Sequence, residues 1–159
     1  MKYIGNKQRL LNFIDNVVIN EGLPMRGTFI DIFTGTTSVA KYFKKKGYSL
    51  VTNDFMTYSY VFQNAYIKNN QYPTFKKLIK SEKIVANAKI FRSKTDALNF
   101  VIQYLNNLSG KEGFIFKNYA PAGQYGRQFF SNENAKKIDA TRDKIEDWKK
   151  GGLINENEY

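Results

Sequence analysis

Histidine and cysteine are both absent from this chain of 159 residues. Without cysteine there is no disulfide and no thiolate nucleophile, and the redox compartment is left open. Without histidine there is no Ser-His-Asp triad, no imidazole acid–base pair and no zinc site of the usual kind, so no metal is expected. A reaction run by such a chain depends on positioning a reactive cofactor. Proline is scarce, occurring only as Pro24, Pro73 and Pro121. No apolar run approaches the roughly 18 residues of a membrane span. The opening MKYIGNKQRLL lacks the apolar core of a secretory signal, so no membrane is expected and the cytoplasm is the default.

Negative charge is the last shortage: 14 acids stand against 25 Lys and Arg, for a net +11. That balance points to a polyanionic partner, nucleic acid before an anionic membrane surface, although lysines such as Lys44 to Lys46 also serve simply as a solvated face. Aromatics, by contrast, reach 16%, which argues for a packed core rather than disorder. The length suits about one domain.

The organising stretch is residues 28–54. Phe29-Ile30-Asp31-Ile32-Phe33 reads as a buried strand, Thr34-Gly35-Thr36-Thr37-Ser38 as a small-residue turn, and Val39-Ala40-Tyr42-Phe43 as a helix stopped at Gly47. Tyr48 to Thr52 reads as a second strand ending at Asn53-Asp54. This βαβ unit suits a nucleoside-bearing ligand: a tight turn admits backbone groups to the ligand, and an acid after the second strand can hold ribose hydroxyls. The turn lacks the GxGxxG of dinucleotide sites, and Asp31 before it would repel a pyrophosphate. That acid favours a ligand with an ammonium or sulfonium group, as in S-adenosylmethionine. An ordinary βα turn with a solvated Asp54 fits the same letters.

Ahead of this unit, Gly5-Asn6-Lys7 precedes a helical pattern of Leu10, Leu11, Phe13, Ile14, Val17 and Val18. Lys7 opposes the helix dipole there, as a ligand-binding cation would, or as a frayed terminus would. Beyond Asp54, helices are expected over 57–69, 74–84 and 94–108, the last capped by Thr95. Residues 110–134 change character, with Gly113, Gly123, Gly126 and Pro121 among aromatics and bases. Phe114-Ile115-Phe116 reads as a short strand. Lys117, Asn118, Gln124 and Arg127 among tyrosines give a composition that meets bases and phosphates, or a loop pinned to the core. Ser131 caps a long helix from about 132 to 149, with Ile138, Thr141, Ile145 and Trp148 on one face. Leu153 to Tyr159 reads as the approach to a further element.

Three segments together carry a family resemblance: Tyr3-Ile4-Gly5-Asn6-Lys7 with Arg9-Leu10-Leu11, Asp31 through Val39, and Asn53-Asp54-Phe55. In this order the chain resembles the N-terminal part of the Dam-like, alpha-group adenine-N6 DNA methyltransferases. Gly113-Phe114-Ile115, Asn118-Tyr119, Arg127 to Phe130, Asn134, Lys137-Ile138-Asp139 and Arg142 resemble that family's target-recognition region. The resemblance implies an α/β, Rossmann-like S-adenosylmethionine-dependent methyltransferase fold, incomplete, with a helical and loop target-recognition segment. It divides the chain into a cofactor-binding part, 1–93, and a helical, DNA-recognising part, 94–159.

The implied cofactor residues are Tyr3, Ile4, Gly5, Asn6, Lys7, Asp31, Ile32, Phe33, Thr34, Gly35, Thr37, Asp54 and Phe55. The Gly5-Asn6-Lys7 tip would close over the methionine end, Asp31 to Thr37 would cradle its ammonium and backbone, and Asp54 and Phe55 would take the ribose and adenine. The implied contacts to double-stranded DNA are Lys117, Asn118, Tyr119, Gln124, Tyr125, Arg127, Lys136 and Arg142.

Two departures stand out. Thr37 replaces the glycine common at its place; its bulk would lower cofactor affinity unless the site tolerates a small polar residue there. The family's Asp/Asn-Pro-Pro-aromatic tetrapeptide, which receives the flipped adenine, is missing: no two prolines are adjacent, and Asn118-Tyr119-Ala120-Pro121 lacks the second proline and the aromatic. In the alpha-group order it would follow Tyr159, so a truncated chain or a split-gene half is expected, inactive alone and completed by a C-terminal catalytic part. Against this stand a methyltransferase for RNA or a small molecule, and a nucleic-acid-binding remnant without chemistry.

Overall fold

A computed structural model describes residues 5–81, 93 and 95–159. Tyr3 and Ile4, and the expected helix beyond Ser81, lie outside the described residues. The chain forms two compact units, Met1–Gln71 and Tyr72–Tyr159. This division falls earlier than the boundary at 93/94 expected from the sequence. The reason is that Phe75 and Leu78 bury themselves with Val101, Trp148 and Ile154, so the segment that holds them packs in the second unit.

In the first unit a 3-10 turn, Lys7–Leu10, leads into helix α1, Leu11–Asn20. Strand β1, Thr28–Asp31, pairs in parallel with β2, Ser49–Thr52, placing Ile30 beside Val51. Helix α2, Ser38–Lys45, makes the crossover that a parallel pair requires. Its Val39, Ala40 and Phe43 are buried, and the Phe43 ring stacks on Phe29 at 3.9 Å while Tyr48 meets it edge-on at 5.3 Å. Burying such a ring contributes roughly 1.5–3 kcal/mol. The helix ends at Gly47, whose φ of +90° a side chain would resist. There Gly47 N–H bonds Lys44 O and Tyr48 N–H bonds Phe43 O, so the last carbonyls are satisfied.

Among the described residues, only one face of this sheet is covered. Ile30 is 61% exposed and Val51 52%, so the first strand is not the buried run its letters suggest. It also ends earlier, at Asp31. The Thr34 hydroxyl lies 2.7 Å from Asp31 O and 3.1 Å from Asn53 O, taking up the strand-end carbonyls, and Ile32 and Phe33 become an exposed turn. The helix expected over 57–69 is an α-helix, α3, Thr57–Phe62, that widens into a π-helix, Gln63–Lys68. Lys44 Nζ binds the carbonyls of Tyr66, Ile67 and Asn69 at its end, supplying positive charge where the helix dipole is negative.

The second unit contains α4, Lys76–Ser81; α5, Asp96–Asn106; α6, Phe114–Tyr119; and α7, Asn132–Lys150. Thr95 precedes α5, but its side chain does not cap the helix. Ser93 and Asp96 instead close the turn ahead of the helix, with Ser93 N–H donating to Asp96 Oδ2 at 2.6 Å. Ser131 caps α7 as expected, accepting Asn134 N–H at 3.2 Å. The buried stripe of α7 is Ala135, Asp139, Ala140 and Trp148, so a carboxyl occupies a position that apolar periodicity passes over. The residues after α7 turn back: Ile154 is buried, and Glu158 accepts Phe75 N–H at 2.5 Å.

Phe114-Ile115-Phe116 is helical, not a strand. Three apolar letters in a row suit either state, and the deciding group is distant in sequence. Asp139 of α7 accepts N–H groups at the start of α6, from Gly113 at 3.0 Å, Ile115 at 2.9 Å and Phe116 at 2.8 Å. These are the donors a helix leaves unpaired.

Candidate functional site

The first unit gathers three separated segments at one end of its sheet. Asn6 Oδ1 accepts Gln8 N–H at 2.9 Å, capping the 3-10 turn, and accepts the Ser38 hydroxyl, also at 2.9 Å. Lys7 Nζ donates to Phe33 O at 3.1 Å. Asp54 Oδ2 accepts Gly35 N–H at 2.7 Å, while Asp54 Oδ1 accepts Met56 N–H at 2.9 Å. The tip at 5–7, the turn after β1 and the end of β2 are therefore tied by direct hydrogen bonds.

The two acids of this site behave oppositely. The backbone N–H groups of Met56 and Gly35 hold Asp54 below the usual carboxylate range, and the charge of Lys7 adds to them. Burial pushes Asp31 up, against the pull of Lys7 and of the Phe33 backbone, and Asp54 pushes it further. Asp31 Oδ2 is buried with no hydrogen-bond partner among the described residues. A buried carboxylate oxygen without a donor is costly, and a cationic ligand would relieve it. Lys7 thus acts on both acids.

Thr37 sits at the N-cap of α2 with φ of +62°, fully buried, its hydroxyl 2.6 Å from Thr36 O. A β-branched residue in this left-handed region is strained, which explains why glycine suits the position. Gly35, at φ +51°, shares the turn, and the two place Gly35 N–H toward Asp54. Gly5 also has positive φ, +83°. Phe55 is 98% exposed. Ser38 and Asn53, both within the segments that carry the resemblance, join the expected cofactor residues: Ser38 anchors the Asn6 tip, and Asn53 O receives Thr34 N–H at 3.1 Å. A cavity of about 580 Å³ lies elsewhere in the unit, between β2 and the π-helix, lined by Lys44, Thr52, Tyr60 and Gln63 among others. It presents no carboxylate to a cationic ligand, and Lys44 is already bound by carbonyls.

In the second unit, Tyr119, Tyr125 and Arg127 come together. The Arg127 guanidinium lies 4.9 Å from the Tyr125 ring centre and 5.9 Å from that of Tyr119. Phe114 and Phe129 meet Tyr119 edge-on at 6.1 and 5.8 Å, extending an exposed aromatic surface beyond the expected contact residues. Lys117 and Gln124 are exposed beside it in sequence, and Asn118 donates to Phe114 O at 2.8 Å. Lys136 is engaged differently, paired with Glu112 at 2.6 Å and lying over Phe116 at 4.8 Å. Arg142, further along α7, is exposed.

The chain is similar to known proteins over nearly its whole length. A family model described as D12 class N6 adenine-specific DNA methyltransferase matches residues 3–156. Modification methylase StsI of Streptococcus sanguinis is 35% identical over 162 residues, covering 100% of this chain and 22% of the relative. Modification methylase LlaI of Lactococcus lactis subsp. lactis is 35% identical, covering 100% and 23%. Type II methyltransferase M.NlaIII of Neisseria lactamica is 34% identical over 161 residues, covering 100% and 42%. The chain therefore spans well under half the length of these relatives. No solved structure matches it significantly. A family match across almost the whole chain, together with the three tied segments, has one conclusion: this chain belongs to the D12 class of N6 adenine-specific DNA methyltransferases.

Proposed function

We propose that this chain supplies the S-adenosylmethionine site, within residues 1–93, and part of the DNA-recognition surface, within 94–159, of a site-specific adenine-N6 DNA methyltransferase. The fold around the site is Rossmann-like, with the β1–α2–β2 unit as its first crossover. The bound cofactor supplies a methyl group on a sulfonium centre. The orphaned Asp31 Oδ2 is the observation that carries the reading, because it offers a buried acceptor to the methionine ammonium. Lys7 and the Asn6 cap hold the tip over that end of the site. Asp54 keeps lone pairs for ribose hydroxyls after accepting two backbone N–H groups, since a carboxylate has about four acceptor sites. Phe55, exposed beside it, is available to an adenine face.

DNA enters on the second unit. Arg127 and Lys117 answer phosphates, and the tyrosines around Arg127 answer bases. The net +11 charge supports a duplex partner over a small molecule. The Asp/Asn-Pro-Pro-aromatic tetrapeptide is not in these residues, so transfer itself requires a further segment, carried on the same polypeptide or on a separate one. The test is complementation. Adding a polypeptide with the tetrapeptide to this chain should produce methyl transfer to DNA adenine, and Asp31→Asn should abolish it. Transfer that is indifferent to this chain would refute the reading.

A further inference from the structure

The second unit contains a buried carboxyl that no step above uses. Asp139 is 2% exposed, lies within α7, and is spent entirely on α6. Its two oxygens accept the N–H groups of Gly113, Ile115 and Phe116. The fit is close: a Cβ on Gly113 would lie 2.7 Å from Asp139 Cγ and 2.8 Å from Oδ1, so a glycine is needed where the carboxyl enters. Hydrogen bonds to a charged acceptor are about twice as strong as neutral ones, and here three converge on one group.

What hangs from α6 gives this clamp its meaning. Helix α6 has six residues, too few to hold itself together in water. Its C-terminal carbonyls in turn fix the exposed loop. Lys117 O accepts Gln124 N–H at 2.7 Å, and Tyr119 O accepts Phe129 N–H at 3.2 Å and Phe130 N–H at 3.3 Å. Gly123 packs so tightly here that a Cβ would come 2.3 Å from Phe116 O. The Tyr119–Tyr125–Arg127 cluster therefore takes its position from α6, and α6 takes its position from Asp139.

We infer that Asp139 is a positioning residue for DNA recognition: by clamping the start of α6 onto α7, it sets the placement of the Arg127 surface without touching DNA itself. This rests on the DNA-recognition reading above. Loss of the clamp leaves the basic side chains in place in the sequence but lets their backbone frame move. Affinity for duplex should fall while the core of the unit stays folded.

Trp148 makes the two outcomes separable. It is the only tryptophan, and it belongs to the Phe75, Leu78, Val101 and Ile154 cluster, not to the Phe116, Ala120 and Ala135 cluster under α6. The experiment compares the chain with Asp139→Asn, Asp139→Ala and Gly113→Ala. It reads binding of a labelled mixed-sequence duplex at low salt, amide exchange at Gln124 and Phe129, and Trp148 emission. Asp139→Asn should weaken duplex binding about tenfold, which is 1.4 kcal/mol, with faster exchange at both amides and unchanged Trp148 emission. Asp139→Ala should go further in the same direction. Adding Gly113→Ala to Asp139→Asn should cost less than the sum of the two, since both break one contact.

Full duplex affinity in Asp139→Asn, despite faster exchange at Gln124 and Phe129, would overturn the inference. So would a collapse of Trp148 emission alongside the loss of binding, which would make Asp139 a general fold determinant. A parent chain that fails to bind duplex at all would refute the DNA-recognition reading first, and the inference with it.

Discussion

Asp54 Oδ2 accepts the Gly35 N–H at 2.7 Å, joining the end of the second strand to the turn after the first. The same carboxylate accepts Met56 N–H through its other oxygen. These bonds hold its folded pKa below the ordinary 3.8. A lowered carboxylate contributes stability that is present above the unfolded value and lost as pH falls through the folded one. Asp54→Asn should therefore lower Tm at neutral pH, and the deficit should close as the solution is acidified below pH 3.8. A deficit that is constant across that range would show that these bonds do not depend on the charge.

Asp31 carries the opposite sign. Its folded pKa is raised, chiefly by burial, so its contribution is favourable below the unfolded value of 3.8 and is lost as pH rises through the folded one. At a pH above that value the cofactor-free chain holds a carboxylate whose buried Oδ2 has no hydrogen-bond donor among the described residues. Asp31→Asn should raise stability there by on the order of 1 kcal/mol, a gain that disappears under acid. The same substitution should weaken S-adenosylmethionine binding. Denaturant titrations at neutral and acid pH measure the first effect, and a variant less stable than the parent at neutral pH would count against it.

Thr37 stores backbone strain in the turn, at φ +62° with its side chain fully buried. Alanine would remove the packed methyl and hydroxyl yet keep a Cβ in the left-handed region, a cost of about 1–2 kcal/mol for an L-residue. Glycine escapes that cost. Thr37→Gly should accordingly be more stable than Thr37→Ala by about 1 kcal/mol and bind the cofactor more tightly than the parent. If alanine proves the more stable of the two, the strain is not where the dihedral places it.

Arg127 lies over two tyrosine rings, so its charge and its planar stacking can be separated. Arg127→Ala should reduce the slope of log affinity for duplex against log salt by roughly 0.9, one phosphate contact. Arg127→Lys should keep the slope but lower affinity, because an ammonium does not stack as a guanidinium does. Equal slopes for alanine and parent would remove Arg127 from the phosphate surface.

Much of the first unit is legible in its letters. The alternation of strand, small-residue turn, helix and second strand from 28 to 54 is a local pattern, and so is the Gly47 stop. What the letters do not carry is coverage. Phe29 and Ile30 look alike in sequence, yet α2 covers only Phe29, and Ile30 faces solvent. Nor do they carry distant caps. Phe114 to Phe116 form a helix because of Asp139, and the expected Thr95 side chain makes no cap to α5. The two candidate acids stand at strand ends, a pattern visible in the letters, while Ser38 and Asn53 are ordinary turn letters that acquire partners only in three dimensions.

If Lys7, Asp31 and Asp54 form one S-adenosylmethionine site, each should contribute to binding the cofactor. Isothermal calorimetry of S-adenosylmethionine into this chain and into Lys7→Ala, Asp31→Asn and Asp54→Ala measures this directly. The parent should show measurable, weak binding and each variant a loss of about tenfold or more. Binding that is absent in the parent, or equal in all four proteins, would contradict it.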